Sequence, residues 1–521
     1  MMQEITKHGN HEQKRMPLIF WIGAIFVVIF LYFFGLTIPL LGPDESRYAQ
    51  VAREMWQNGD WVTPTLGGAH WFEKPALLYW LEMTAYSIFG VNEFAARFGS
   101  AIFGIGTVAC LVLLGNRYEA SQGRPRLGRS AEVGRFGLWL GLIAATSLGI
   151  IVFARGASFD IIVTFPLTAS LVGYFVYDQC SSASARTKYA GLVAFYLFIG
   201  VALIAKGLIG IVFPFATVGG YLLLSRRWPS LSFLVSIVWG TMLAAAIAAV
   251  WYLPMYQLHG WEFIDEFIIK HHFQRFTSNK YQHPQPFIFF FWVLPLMVLP
   301  WMPAFLAASW TFIRNTFRAK SPDGSSTTAA TSFLSDPLLT FSLVWLMVPL
   351  AFFSFSGSKL PGYILPAVPP AILITAVFLY QRLDAAKWKN AVIAGAFGTA
   401  IVSVILIQFV VPRFAELDST RSLFQTASDR GYAATKVVNL HTTSHNAEFY
   451  ADGRLLRDET GKLKRLYGVT EVKDEILRSG ERTTLVLVPH EYLPELLRYP
   501  ELQSEVLRDN GELAIVASSL R

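Results

Sequence analysis

The stretch 17-PLIFWIGAIFVVIFLYFFGLTIPLLGPDESRYAQVAREMWQNGDW-61 changes character within a few residues. From Pro17 to Leu41 it carries no charge and is long enough to cross a bilayer as a helix. Immediately afterwards come Asp44 and Glu45, two carboxylates at a membrane surface, where unpaired charge is costly. The first segment is too long for the apolar core of a signal peptide and lacks a small-residue cleavage site, so it reads as a retained helix.

The rest of the chain follows the same pattern. Of 521 residues, 53% are hydrophobic and 15% charged, against about 25% charged in soluble domains. Apolar runs begin near residues 17, 97, 136, 158, 189, 207, 229, 287, 337, 361 and 390, which predicts a polytopic α-helical membrane protein with about eleven spans. The net charge of +7 is scattered through loops rather than gathered in a stripe, so nucleic acid is not an expected partner. Cys110 and Cys180 lie far apart and imply no disulfide framework.

A twelfth apolar segment, 75-PALLYWLEMTAYSIFG-90, is shorter and contains Glu82. If it lies along the surface, the inner connections hold eighteen Lys and Arg and the outer ones ten; if it crosses, the two counts exchange. The positive-inside rule therefore selects a juxtamembrane helix, which its Tyr79, Trp80 and Tyr86 suit. This choice gathers Asp44, Glu45, Glu73, Lys74, Arg155, Asp160, Lys206, His271, His272, Arg275, Lys359 and Tyr363 on the outer face. Residues 1–411 are then a transmembrane catalytic domain with its first outer loop at 42–96, and residues 412–521 a soluble outer α/β domain. In that tail TKVVNL, TTLVLVP and ELAIVAS read as strands, and EVKDEILRSG and HEYLPELLRYP as helices.

Each outer motif has a structural reading beside a chemical one. Pro43-Asp44 can simply start a helix that Asn58-Gly59 ends, with Asp44 its N-cap; Asp44 also shares a face with Arg47 and Tyr48. Glu73-Lys74 can be a solvated turn, and Arg155 with Asp160 a structural pair. Lys206 breaks an apolar stretch of nearly forty residues and reads as a cation in a tight turn. His271 and His272 are candidate zinc ligands, but neighbouring residues do not share a helix face, so one at most would serve. Together, five cations beside two acidic sites at headgroup depth fit the phosphate of a lipid, with the carboxylates acting at a sugar carbon beyond it. No nucleotide motif appears on the inner side, so the donor must arrive already activated.

The segments 43-PDESRYAQVAREM-55, 59-GDWVTPTL-66, 70-HWFEKPALLYW-80, 91-VNEFAARFGSAIFG-104, 205-AKG-207, 272-HFQRF-276 and 358-SKLPGYILP-366 resemble the bacterial lipid A 4-amino-4-deoxy-L-arabinose transferases and the wider protein-mannosyltransferase-like GT-C superfamily. The order and spacing cover roughly residues 17 to 380. The resemblance implies an inner-membrane glycosyltransferase of bacteria, with its site and C-terminus in the periplasm. Its donor would be a polyprenyl-phosphate sugar and its acceptor lipid A, another envelope glycan or a protein.

By the family's pattern, Asp44 is the catalytic aspartate with Glu45 and Arg47 alongside, and Asp160 is the second acidic residue. Arg47, Lys74, Lys206, Arg275, Lys359 and Tyr363 fall to the lipid phosphate. A structural divalent metal, zinc for example, would sit near Glu73 and His272. Two features depart from the pattern: Trp71 stands where tyrosine is expected, and eleven spans are read rather than thirteen. Both bear on which sugar is carried. The competing class, a transporter or lipid flippase, would show internal repeats and mid-membrane charges, and neither is found.

Overall fold

The computed structural model describes residues 18–121, 136–179, 184–274, 285–318, 336–383 and 386–521. In order, the first ten α-helices are α1 (Leu18–Phe33), α2 (Gly42–Asn58), α3 (Leu77–Phe89), α4 (Glu93–Ser121), α5 (Phe136–Ala145), α6 (Leu148–Ala154), α7 (Phe159–Gln179), α8 (Ala185–Lys206), α9 (Ile209–Leu224) and α10 (Leu231–Phe263). Further helices span Phe289–Met297, Met302–Arg318, Pro337–Ser354, Val368–Tyr380 and Ala386–Ile405. Each of the eleven expected starts falls at or close to a helix. Among the described residues, seven helices are long and apolar enough to cross a membrane, and the bent pair α5–α6 makes an eighth. α1 and α9 are apolar but shorter, and the segment expected from 287 is divided between two helices. The chain is therefore a multi-pass membrane protein, with seven or eight full-length spans among the described residues.

α7 is the hub, with most of its length buried between α4, α8 and α9. It meets α8 where Gly173 faces Gly191: a Cβ at either would come within 2.7 Å of the other's carbonyl oxygen. Small residues at such a crossing let backbones close without a hydrophobic driving force.

α2 and α3 lie at one end of this bundle. Pro43 opens α2, Asp44 and Glu45 occupy its first turn where helix N-termini favour negative charge, and Gly59 closes it in the left-handed conformation (φ 66°). α3 has thirteen residues, and the chain on both sides of it returns to α2: Lys74 lines a cavity with Asp44, and Arg97 binds Glu45. It therefore does not cross.

The C-terminal part holds a five-stranded sheet of order β4-β3-β5-β7-β6. It comprises β3 (Val437–Leu440), β4 (Arg465–Leu466), β5 (Thr484–Pro489), β6 (Leu502–Asp509) and β7 (Leu513–Leu520), after a short β1–β2 hairpin at 65–70. β3 runs parallel to β4 and β5, while β7 is antiparallel to β5 and β6. This part grips the turn leading into α2: Tyr450 Oη accepts from Leu40 N at 2.8 Å, Asp418 from Gly42 N at 2.7 Å, and Asn446 Nδ2 donates to Leu40 O at 3.0 Å.

Candidate active site

Four turns converge at the end where α2 lies and enclose a cavity of about 630 Å³. α2 contributes Asp44 and Tyr48, the turn before α3 contributes Glu73 and Lys74, and the α6–α7 turn with the start of α7 contributes Ser158 and Asp160. Lys206 ends α8 at the α8–α9 turn, while Ser356 and Tyr363 come from the Pro/Gly-rich turn that follows Ser354. Apolar side chains such as Phe153, Phe267 and Phe352 complete the walls.

Two ion pairs stand in this cavity. Glu73 and Lys74 are 3.0 Å apart, both largely buried. Asp160 pairs with Lys206, whose ammonium also lies 5.2 Å from the Tyr363 ring centre. Gly362 makes the latter pair possible, because a Cβ there would overlap an Asp160 carboxylate oxygen. The expected Arg155–Asp160 pair does not form: Arg155 donates instead to Leu31 O at 2.7 Å.

Asp44 differs from both. Its carboxylate meets Arg47 Nη2 at 2.5 Å and remains 56% exposed, open to the cavity. It is not the N-cap of α2, a place held by Leu41. Arg47, expected on the lipid phosphate, is absent from the lining; it binds Asp44 and lies 5.8 Å from the Trp71 ring centre.

Glu45, expected to work beside Asp44, is not in the cavity either. It is buried, and its oxygens accept from Arg97 Nε and Nη2 (both 2.7 Å), Leu41 N (2.8 Å) and Ala157 N (2.9 Å). Burial alone would raise its pKa, but the Arg97 charge and these donors outweigh it and hold the carboxyl below its usual range. Consecutive helical residues point about 100° apart, so one of the pair faces the cavity and the other locks α2 to α4 and the α6–α7 turn. Arg97 also donates to the carbonyls of Leu36, Ile38 and Pro39. Sequence reasoning left Arg97 as one more outer charge, since its partner lies fifty-two positions away.

Lys359 is likewise withdrawn, buried and donating to Ser356 O (2.7 Å) and Gln285 O (3.0 Å). Of the two neighbouring histidines, His271 reaches the cavity. Arg275 and the His272 side chain lie outside the described residues. Glu73 is engaged with Lys74, and among the described residues no three His, Cys, Asp or Glu side chains gather as a metal would require. The expected metal site therefore has no fitting donor set in the described part of the chain.

Glu82 of α3 is fully buried, and neither of its oxygens has a hydrogen-bond partner among the described residues. Burial, then the charge of Glu45, pushes its carboxyl well above the usual range. A carboxyl so raised costs nothing below its unfolded pKa near ~4.3, and it lowers stability as pH rises past that value, because the unfolded chain ionises first. Glu82→Gln is thus expected to be more stable than the parent at pH 8 and nearly equal at pH 4. Thermal unfolding in detergent at both values tests this; a pH-independent difference would refute it.

The family model described as dolichyl-phosphate-mannose-protein mannosyltransferase matches residues 40–267. The undecaprenyl phosphate-alpha-4-amino-4-deoxy-L-arabinose arabinosyl transferase of Aeromonas salmonicida is 30% identical over 410 residues, covering 77% of this chain and 68% of the relative. The enzyme of the same name from Serratia proteamaculans is 30% identical over 397 residues, covering 73% and 64%. The chain thus spans about two thirds of the length of the curated relatives it matches. In fold it is similar to the crystal structure of ArnT from Cupriavidus metallidurans bound to undecaprenyl phosphate, with a TM-score of 0.76 at 20% identity, over 96% of this chain and 98% of that one. The apo structure of the same protein gives 0.73 at 19% identity, over 96% and 97%. On the similarity to the Aeromonas protein, this chain belongs to the undecaprenyl phosphate-aminoarabinose arabinosyl transferase family.

Proposed function

We propose that this protein is an inverting glycosyltransferase that moves 4-amino-4-deoxy-L-arabinose or a related sugar from undecaprenyl phosphate to a phosphate of lipid A. The observation that carries the reading is the cavity itself: an exposed carboxylate, Asp44, shares its walls with two largely buried cations, Lys74 and Lys206, in a member of this family. The protein would lie in the bacterial inner membrane with the cavity on the periplasmic side, as the distribution of basic residues favours. Residues 1–411 are taken as the catalytic membrane domain and 412–521 as a soluble domain that fixes the start of α2.

In this mechanism the acceptor oxygen attacks the anomeric carbon from the side opposite the lipid phosphate. The new C–O bond forms as the bond to the phosphate oxygen breaks, with inversion. Lys74 and Lys206 take up the charge developing on the departing phosphate, exchanging contacts with Glu73 and Asp160 for the phosphate oxygens. Arg275 is a further phosphate ligand by the family's pattern, and Tyr363 orients Lys206. Asp44 positions the acceptor. An ionised acceptor phosphate has no proton to lose, whereas an acceptor hydroxyl would pass its proton to Asp44.

The match to the mannosyltransferase model favours a second reading, transfer of mannose to protein. A deletion strain separates the two. Mass spectrometry of its lipid A should show loss of the aminoarabinose adduct, restored by the plasmid-borne gene. Unchanged lipid A together with missing glycopeptides would replace the first reading by the second.

A further inference from the structure

At the end of α9 remote from the catalytic cavity lies a second constellation. Ile209 and Val212 open α9 in the cavity; the helix ends at Leu224, roughly 20 Å away at 1.5 Å per residue. The turn 225-SRRWPS-230 follows. Arg226 adopts a positive φ of 52°, uncommon for a side-chain-bearing residue. Its neighbour Arg227 is ion-paired, both Nη atoms lying 3.0 Å from the Asp178 carboxylate. Arg226 is exposed, and its side chain has no ion pair or hydrogen bond among the described residues.

Arg226 stands where two apolar grooves meet. One, of about 590 Å³, runs between α9 and α10 past Val218, Leu222 and Phe233. The other, of about 720 Å³, runs between α9 and the helix Pro337–Ser354 past Gly220, Val344 and Met347. Leu223, 81% exposed, is the ridge between them and lines both, as does Arg226. Trp228, 93% exposed, projects beside them, and exposed tryptophan belongs at headgroup level.

We propose that this is a binding site for an anionic diacyl phospholipid, seated astride Leu223 with one acyl chain in each groove and its phosphate on Arg226. Two grooves sharing one cation match a ligand with two chains and one phosphate. The turn's two arginines face one aspartate, Asp178 of α7, leaving a surplus positive charge that an anionic headgroup neutralises and a zwitterionic one, bringing its own cation, does not. The sugar donor is excluded as occupant by its single chain and by the distance from the cavity. The assignment does not depend on the reaction proposed above.

Native mass spectrometry of the full chain from micelles containing equal phosphatidylglycerol and phosphatidylcholine tests it. Wild type should retain phosphatidylglycerol about fivefold over phosphatidylcholine, the factor expected for one basic side chain at a membrane surface. Arg226→Gln should bring the ratio to unity, and Met347→Trp, which fills one groove and leaves the charge, should lower retention of both lipids. Arg186→Gln, an equal charge change elsewhere at this end, should leave the ratio unchanged. Equal retention by wild type, a preference surviving in Arg226→Gln, or an equal loss in Arg186→Gln would overturn the site.

Discussion

Asp44→Asn is expected to lower sugar transfer by about three orders of magnitude while the lipid donor still binds. Among the described residues the cavity holds three carboxylates, each ion-paired: Glu73 with Lys74, Asp160 with Lys206, and Asp44 with Arg47. Asp44 is the most exposed of them, held from one side by Arg47. The amide keeps its shape and can still accept from Arg47, so the substitution removes charge and basicity rather than packing. Lys74 and Lys206, the cations proposed for the phosphate, are untouched, which is why donor affinity should survive. Transfer is read by mass spectrometry of the lipid product with purified protein, and donor binding by fluorescence titration with undecaprenyl phosphate. Full transfer by the variant would remove Asp44 from the chemistry. Loss of donor binding along with transfer would make it a phosphate-site residue instead.

Much of this architecture was legible because membrane helices announce themselves by composition. Every apolar run met a helix, and counting Lys and Arg was enough to read 75–90 as a surface-lying helix, in keeping with the thirteen residues of α3. Asn58-Gly59 ended α2 through a left-handed glycine that a sequence displays directly. What the sequence hid were partners distant along the chain. Lys359 looked like a free cation in a turn, yet it is consumed by two backbone carbonyls, one of them seventy-four positions away. The edge strand β6, LQSEVLRD, was missed because its exposed face is charged and its pairing is visible only across β7. Glu45 was misread for a geometric reason: adjacency in sequence places two side chains on different helix faces. Of the expected site residues, Asp44, Glu73, Lys74, Asp160, Lys206 and Tyr363 line the cavity, and all of them sit in turns or at helix ends.

The buried pair behind the cavity should carry the largest stability effect. Arg97→Ala is expected to destabilise the protein by about 3–5 kcal/mol, the usual cost of leaving one member of a buried ion pair without the other. Both side chains are at most 10% exposed, and Arg97 also holds the carbonyls of three residues leading into α2. Glu45→Gln should cost less, since the amide can still accept one bond. The double variant Glu45→Gln/Arg97→Met should recover part of the Arg97→Ala loss by removing the stranded charge. Because the Glu45 pKa is lowered in the folded protein, its contribution is present above the ordinary carboxylate value of ~4.3 and fades as pH falls through the lower folded value. The parent and Glu45→Gln should therefore converge in stability under acid, a dependence opposite to that expected for Glu82. Unfolding titrations in denaturing detergent at pH 7 and pH 3.5 measure both trends. If Arg97→Ala unfolds with the parent at neutral pH, the pair is not what fixes α2, and the backbone bonds from Tyr450 and Asp418 hold Asp44 in place without it.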